Sequence, residues 1–138
     1  MTNRNTSLDG LMRDYGWAVH DFQRLASSIS LLAASLDTSD DLDAPNFYSE
    51  IDQLTSPRQF SVSGQKIAAV MSDEDRAALR RLKKTRDDLV YRFFLDFKVD
   101  AQRGTIPTEA VAKLGEVQNE LAEAMTVVER LYKHLAAA

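Results

Sequence analysis

The chain has 138 residues, 44% hydrophobic and 28% charged, with a formal net charge of −4 at pH 7. That is ordinary globular composition, long enough to bury about two-thirds of its unfolded surface, so residues 1–138 read as one domain. Lack of cysteine excludes disulfides and thiolate metal sites, two histidines leave little for a metal centre, and no apolar run approaches a membrane span; neither cofactor nor membrane is expected.

Met1 to Ser7 is polar with no apolar centre, so no signal sequence is expected and the expected location is the cytoplasm. Charge is unevenly spread. Residues 1–55 carry three basic and nine acidic side chains, and residues 56–138 carry fourteen and twelve. Global charge therefore does not indicate DNA or any other nucleic acid, but a local basic cluster at Arg76, Arg80, Arg81, Lys83, Lys84 and Arg86 does exist.

In chain order, Leu8, Leu11, Tyr15, Ala18, Phe22, Leu25, Ile29, Leu32 and Leu36 recur at alternating three- and four-residue steps. This spacing predicts a long helix over about 7–36 with one apolar seam. Gly16 inside it either admits another backbone closely or is simply tolerated at about 1 kcal/mol against alanine. Asp37 to Pro45 reads as a loop; Asn46 to Leu54 and Gly64 to Met71 read as short helices, with a turn at Ser56-Pro57 between them. The acids from Asp37 to Asp52 either mask the basic cluster or form a solvated loop.

Ser72-Asp73-Glu74-Asp75 is a helix start, a serine cap followed by acids facing the positive end of the helix dipole. That helix is expected over about 72–99. Pro107 then opens a last helix over about 106–136, with Val111, Leu114, Val117, Leu121, Met125, Val128, Leu131 and Leu135 as its apolar stripe. No strand-like alternation is present. Three long helices plus one or two short ones predict an all-α, up-down bundle.

On a wheel of about 100° per residue, Leu79, Leu82, Arg86, Leu89, Val90, Phe93 and Phe97 share one face. An arginine at the centre of an apolar stripe needs an anion or a wet crevice. Arg76, Arg80, Lys83, Lys84, Asp87, Tyr91 and Phe94 lie on the adjacent face, with Asp87 and Tyr91 one turn apart. Asp88 and Arg92 have the spacing of an exposed ion pair. This strip would suit phosphates, with Tyr91 and Phe94 stacking on a base. The other reading is a solvated charged face with two aromatics at a helix–helix or dimer contact.

Arg86-Asp87-Asp88-Leu89-Val90-Tyr91-Arg92-Phe93 resembles the signature of the HEPN superfamily, small α-bundles of prokaryotic toxin–antitoxin and other defence systems. That signature is an arginine, a polar residue, and a histidine about a turn later. Tyr15-Gly16-Trp17-Ala18-Val19-His20-Asp21-Phe22-Gln23-Arg24-Leu25 also resembles the first helix of HEPN relatives. The resemblance implies a homodimeric, metal-independent endoribonuclease fold. Arg86, Asp87 and Tyr91 would stand at the catalytic positions, and Arg76, Arg80, Lys83, Lys84 and Phe94 would bind RNA. A nucleotidyltransferase-type antitoxin partner is implied as well.

Tyr91 stands where the family has its histidine. In the implied reaction a ribose 2′-OH attacks the adjacent phosphate, the histidine moves protons, and the arginine steadies charge on phosphorus. A phenol with an ordinary pKa of about 10 is protonated at neutral pH and a poor base. Losing one acid–base group costs about 10²–10⁴-fold in rate, so cleavage is expected to be weak or absent. His20, on the first helix, is the one substitute in principle; otherwise it is an ordinary partly buried or surface histidine. The alternative is a non-catalytic dimeric helical module that binds RNA or a partner protein.

Overall fold

A computed structural model describes residues 8–35, 46–55, 62–97 and 106–136. The helices are α1 (Leu8–Ala34), α2 (Phe47–Thr55), α3 (Val62–Val70), α4 (Asp73–Arg86), α5 (Phe93–Phe97) and α6 (Thr108–Ala136), with a π-helical turn (Asp87–Arg92) joining α4 to α5. No strand occurs among the described residues, and no helix there is long and apolar enough to cross a membrane. The expected loop over 37–45 and the turn at Ser56-Pro57 lie outside the described residues.

The seam of α1 is buried as its spacing requires: Leu11, Ala18, Phe22, Leu25, Ile29 and Leu32 enter one core with Ile51, Leu54, Ile67, Leu79, Leu82, Leu89 and Phe93. From α6, Leu114, Val117, Leu121, Val128 and Leu131 join them. Ala110, Ala124 and Val127 are buried too, so the α6 stripe is wider than its large residues suggest. Val111, Met125 and Leu135 sit at its edge, half-buried.

Ser72 caps α4 reciprocally with Asp75. The serine hydroxyl accepts from the Asp75 amide at 3.1 Å, and the Asp75 carboxylate accepts from the Ser72 amide at 3.1 Å. Polar cross-links then set α4 against α6: Asp75 with Arg130, Arg81 with Glu123, Thr85 with Glu120, and Asp88 with Lys113. One series ascends while the other descends, so the two helices run antiparallel.

A second, shorter ladder seats α2 on α4. Tyr48 donates to Asp87, and Asp52 pairs with Lys83 at 2.5 Å. Both links step by one helical turn, again in opposite directions. Ile51 and Leu54 anchor α2 in the core, and its buried Glu50 accepts from the Ser30 hydroxyl of α1 at 2.9 Å.

Candidate functional site

The α4 face predicted around Arg86 is rotated in the structure. Ala78 and Thr85 are both buried, at 7% and 2% exposure, because α6 packs on that side. A wheel centred on large side chains overlooks such small ones. Arg86 accordingly lies at the edge of the apolar stripe, its side chain 28% exposed, while Thr85 occupies the interior. Val90, expected in the core, is exposed.

The π turn explains the remaining differences. In α-helical winding, residues five apart diverge by about 140°; π winding, bonded i to i+5, brings them to one side. Arg86 and Tyr91 are five apart and touch, the Arg86 guanidinium donating to the Tyr91 hydroxyl at 3.1 Å. The four-apart pairs predicted within that turn, Asp87 with Tyr91 and Asp88 with Arg92, do not form. Across its two ends four-apart pairs do form: Lys84 pairs with Asp88 at 2.8 Å and Arg92 with Asp96 at 3.0 Å. A tyrosine of α1 supports the turn, for Tyr15 donates to the Leu89 carbonyl at 2.7 Å. Its ring packs on Phe93 at 5.4 Å and on Phe94 at 4.9 Å.

The site is an arginine in contact with two aromatic rings. The Arg86 guanidinium carbon stands 5.2 Å from the ring centre of Tyr48 and 5.2 Å from that of Tyr91. Asp87 lies at 3.9 Å from the guanidinium, and its carboxylate accepts from Tyr48. The Tyr48 hydroxyl, first, and then Tyr91 and Asp87 hold the guanidinium above its ordinary range against the opposing pull of partial burial. The hydrogen bond to Asp87, with partial burial behind it, pushes the Tyr48 phenol up.

The expected RNA strip is largely engaged by acids. Arg76 pairs with Asp73 at 3.0 Å, and Lys83 and Lys84 take Asp52 and Asp88. The solvated-loop reading therefore fails at Asp52, which is a direct partner of the cluster. Arg80 is exposed on the same helix. Exposed pairs of this kind contribute about 0–1 kcal/mol, so a phosphate can displace them at little cost. Lys84 is the cheapest to release, since Asp88 keeps Lys113 at 3.1 Å. Burial pushes the Asp88 carboxyl up, but Lys84 and Lys113 outweigh it and hold it below its ordinary value.

Phe94 is half-buried, its ring 4.9 Å from that of Tyr15 and 5.1 Å from that of Phe93, and packs against the core. His20 is exposed, pairs with Asp21 at 3.2 Å and makes no contact with Arg86, Asp87 or Tyr91. His134 is exposed near the end of α6.

Sequence reasoning missed Tyr48, Tyr15 and Lys113 as parts of the site. For Tyr15 a signal existed, because a tyrosine on a buried seam needs a partner for its hydroxyl. For α2, the Tyr48–Asp52 step matches the Lys83–Asp87 step in length, though nothing in the sequence says that the two helices meet. Among the described residues no group of three or more histidine, aspartate or glutamate side chains could hold a metal ion. A groove of about 460 Å³ between α1 and α6 and another of about 490 Å³ between α4 and α6 both lie away from Arg86.

What this cluster offers chemically is a cation, two phenols and a carboxylate at a surface. It can bind and orient an anion and stabilise charge developing on it. It holds no imidazole to move protons near neutral pH. Comparison of the chain with family models, with curated proteins and with solved structures yields no match.

Proposed function

We propose that the chain is a HEPN-like up-down bundle of the metal-independent endoribonuclease type, a homodimeric toxin or phage-defence protein. Its cleavage is weakened or lost because Tyr91 takes the histidine's place. Arg86, Asp87 and Tyr91 form its centre, with Arg76, Arg80, Lys83 and Lys84 as the flanking phosphate contacts. The observation that carries this reading is the Arg86–Tyr91 contact at 3.1 Å across the π turn. It sets the motif's arginine beside the position where the family has its histidine.

The antiparallel setting of α4 against α6 agrees with the bundle topology. In the reaction as inherited, Arg86 steadies the phosphate while the 2′-oxygen bonds to phosphorus and the bond to the 5′-oxygen breaks, and the proton leaving the 2′-OH and the proton reaching the 5′-oxygen lack their usual carrier. Tyr91→His restores that carrier. The expected result is RNA cleavage above the parent level that vanishes again in Tyr91→His with Arg86→Ala. A folded, dimeric Tyr91→His protein with no cleavage refutes the catalytic descent.

A second reading has its own support. Val90, Tyr91 and Leu95 are 43%, 59% and 77% exposed and share one side of the helix beside Arg86. Such a patch suits a non-catalytic module whose function is to bind RNA or an antitoxin-type partner, a nucleotidyltransferase in the family's terms. Leu95→Glu distinguishes the two: loss of partner capture with unchanged RNA affinity favours the module.

A further inference from the structure

We infer that Tyr48, from α2, is the positioning residue of this site: it contacts both Arg86 and Asp87 and holds them in place for an RNA phosphate. The inference rests on the RNA reading for its ligand and on geometry for everything else.

Neighbouring residues on a helix point about 100° apart and do not face each other by default. Here the charged ends of Arg86 and Asp87 nevertheless come within 3.9 Å, an ion pair too long for a hydrogen bond. The Tyr48 hydroxyl donates to the same Asp87 oxygen that faces Arg86. The same residue's ring centre stands 5.2 Å from the guanidinium carbon, as does that of Tyr91. One side chain therefore restrains both charges.

Tyr48 can do this because α2 is itself held. Ile51 and Leu54 are fully buried, Glu50 is tied to Ser30 at 2.9 Å, and Asp52 binds Lys83 one turn along at 2.5 Å. The raised phenol of Tyr48 agrees with a hydroxyl donating to a carboxylate. A guanidinium carries several N–H donors in a planar fork, so Arg86 can keep its contact with Tyr91 and still present a pair of donors to a phosphate. Restraint by two rings removes rotamer freedom that phosphate binding would otherwise have to remove. Tyr48 thus acts on the ligand through Arg86, and α2 belongs to the site although it lies outside the motif.

The test uses the full chain carrying Tyr48→Phe, which keeps the ring and removes the hydroxyl. Two measurements are made. The first is the Arg86 Nε–H resonance in the free protein, assigned by its loss in Arg86→Lys. Tyr48→Phe is expected to shift and broaden it while circular dichroism and melting stay close to the parent's. An unmoved Arg86 resonance overturns the inference whether or not RNA binds.

The second is affinity for a fluorescein-labelled single-stranded oligoribonucleotide at low salt. Tyr48→Phe is expected to weaken binding by about threefold to tenfold, the scale of one hydrogen bond. In an Arg86→Ala background the same substitution is expected to change nothing. An equal loss in both backgrounds would mean that Tyr48 contacts RNA itself, and overturns the positioning role. A parent chain that does not bind the oligoribonucleotide removes the RNA reading, and the resonance then decides the role of Tyr48.

Discussion

Tyr15→Phe removes one oxygen atom and tests what holds the π turn. The hydroxyl donates to the Leu89 carbonyl at 2.7 Å, and Leu89 is fully buried. The phenylalanine ring would keep the contacts to Phe93 at 5.4 Å and to Phe94 at 4.9 Å, so the apolar contribution is nearly unchanged. What remains is a carbonyl without that donor. A buried unsatisfied group costs about 1–3 kcal/mol and a net hydrogen bond contributes about 0.5–1.5 kcal/mol. Since the bond is part-buried, a loss of about 1–1.5 kcal/mol is expected, or roughly 3–6 °C in Tm for a chain of this size. Urea unfolding followed by circular dichroism measures it, with an unchanged m-value as the sign of an intact fold. Amide exchange adds location: protection is expected to fall over 87–97 and to hold over the buried middle of α6. A change within about 0.3 kcal/mol, with exchange over 87–97 unaltered, would show that the turn supports itself and refute the role given to Tyr15.

Other outcomes follow from equally local causes. Gly16 and Gly115 lie inside helices, and a Cβ at either meets nothing within 4 Å, so alanine at each is expected to stabilise by about 0.5–1 kcal/mol in urea titrations. Destabilisation at Gly16 instead would reveal the backbone of another molecule lying there. For Asp75, burial pushes the carboxyl up, but the Ser72 amide and Arg130 outweigh it and leave it below its ordinary value, as Lys84 and Lys113 do for Asp88. Both contributions are therefore full above about pH 4 and lost as pH falls through the depressed folded-state values. Asp75→Asn with Asp88→Asn is expected to flatten stability against pH below 4 (about one unfolded-state pKa), and an unchanged acid slope would contradict it. Tyr48 has the opposite sign. Its raised phenol contributes stability that is full below about pH 10 and lost as pH rises through the raised value. Asp87→Asn is expected to lower the Tyr48 midpoint in carbon-13 titration of labelled tyrosine, and a midpoint that rises would refute the hydrogen bond as its cause.

Periodicity made the helices legible, because a seam such as Leu11, Ala18, Phe22, Leu25, Ile29 and Leu32 can be buried in only one way on a single helix. The cap at Ser72 was legible for the same reason: serine and Asp75 satisfy amides within their own first turn. Site geometry was less so. The wheel placed Arg86 at the centre of the stripe because it weighed Leu79, Leu82, Leu89 and Phe93 and gave nothing to Ala78 and Thr85. It also assumed uniform winding, which misplaced the Asp87–Tyr91 and Asp88–Arg92 contacts and turned Val90 to the wrong side.

What the amino acids determined by themselves was therefore what is settled within a few turns of one helix: where helices form, the cap of α4, the apolar seam of α1, and the presence of an arginine among aromatics. What only the tertiary structure decided was which residues meet that arginine. Tyr48 reaches it because α2 is sunk into the core beside α4, and Tyr91 reaches it through a turn braced by Tyr15 of α1. Those contacts join groups far apart in the chain. Their energies depend on how helices dock and wind, which no local pattern encodes.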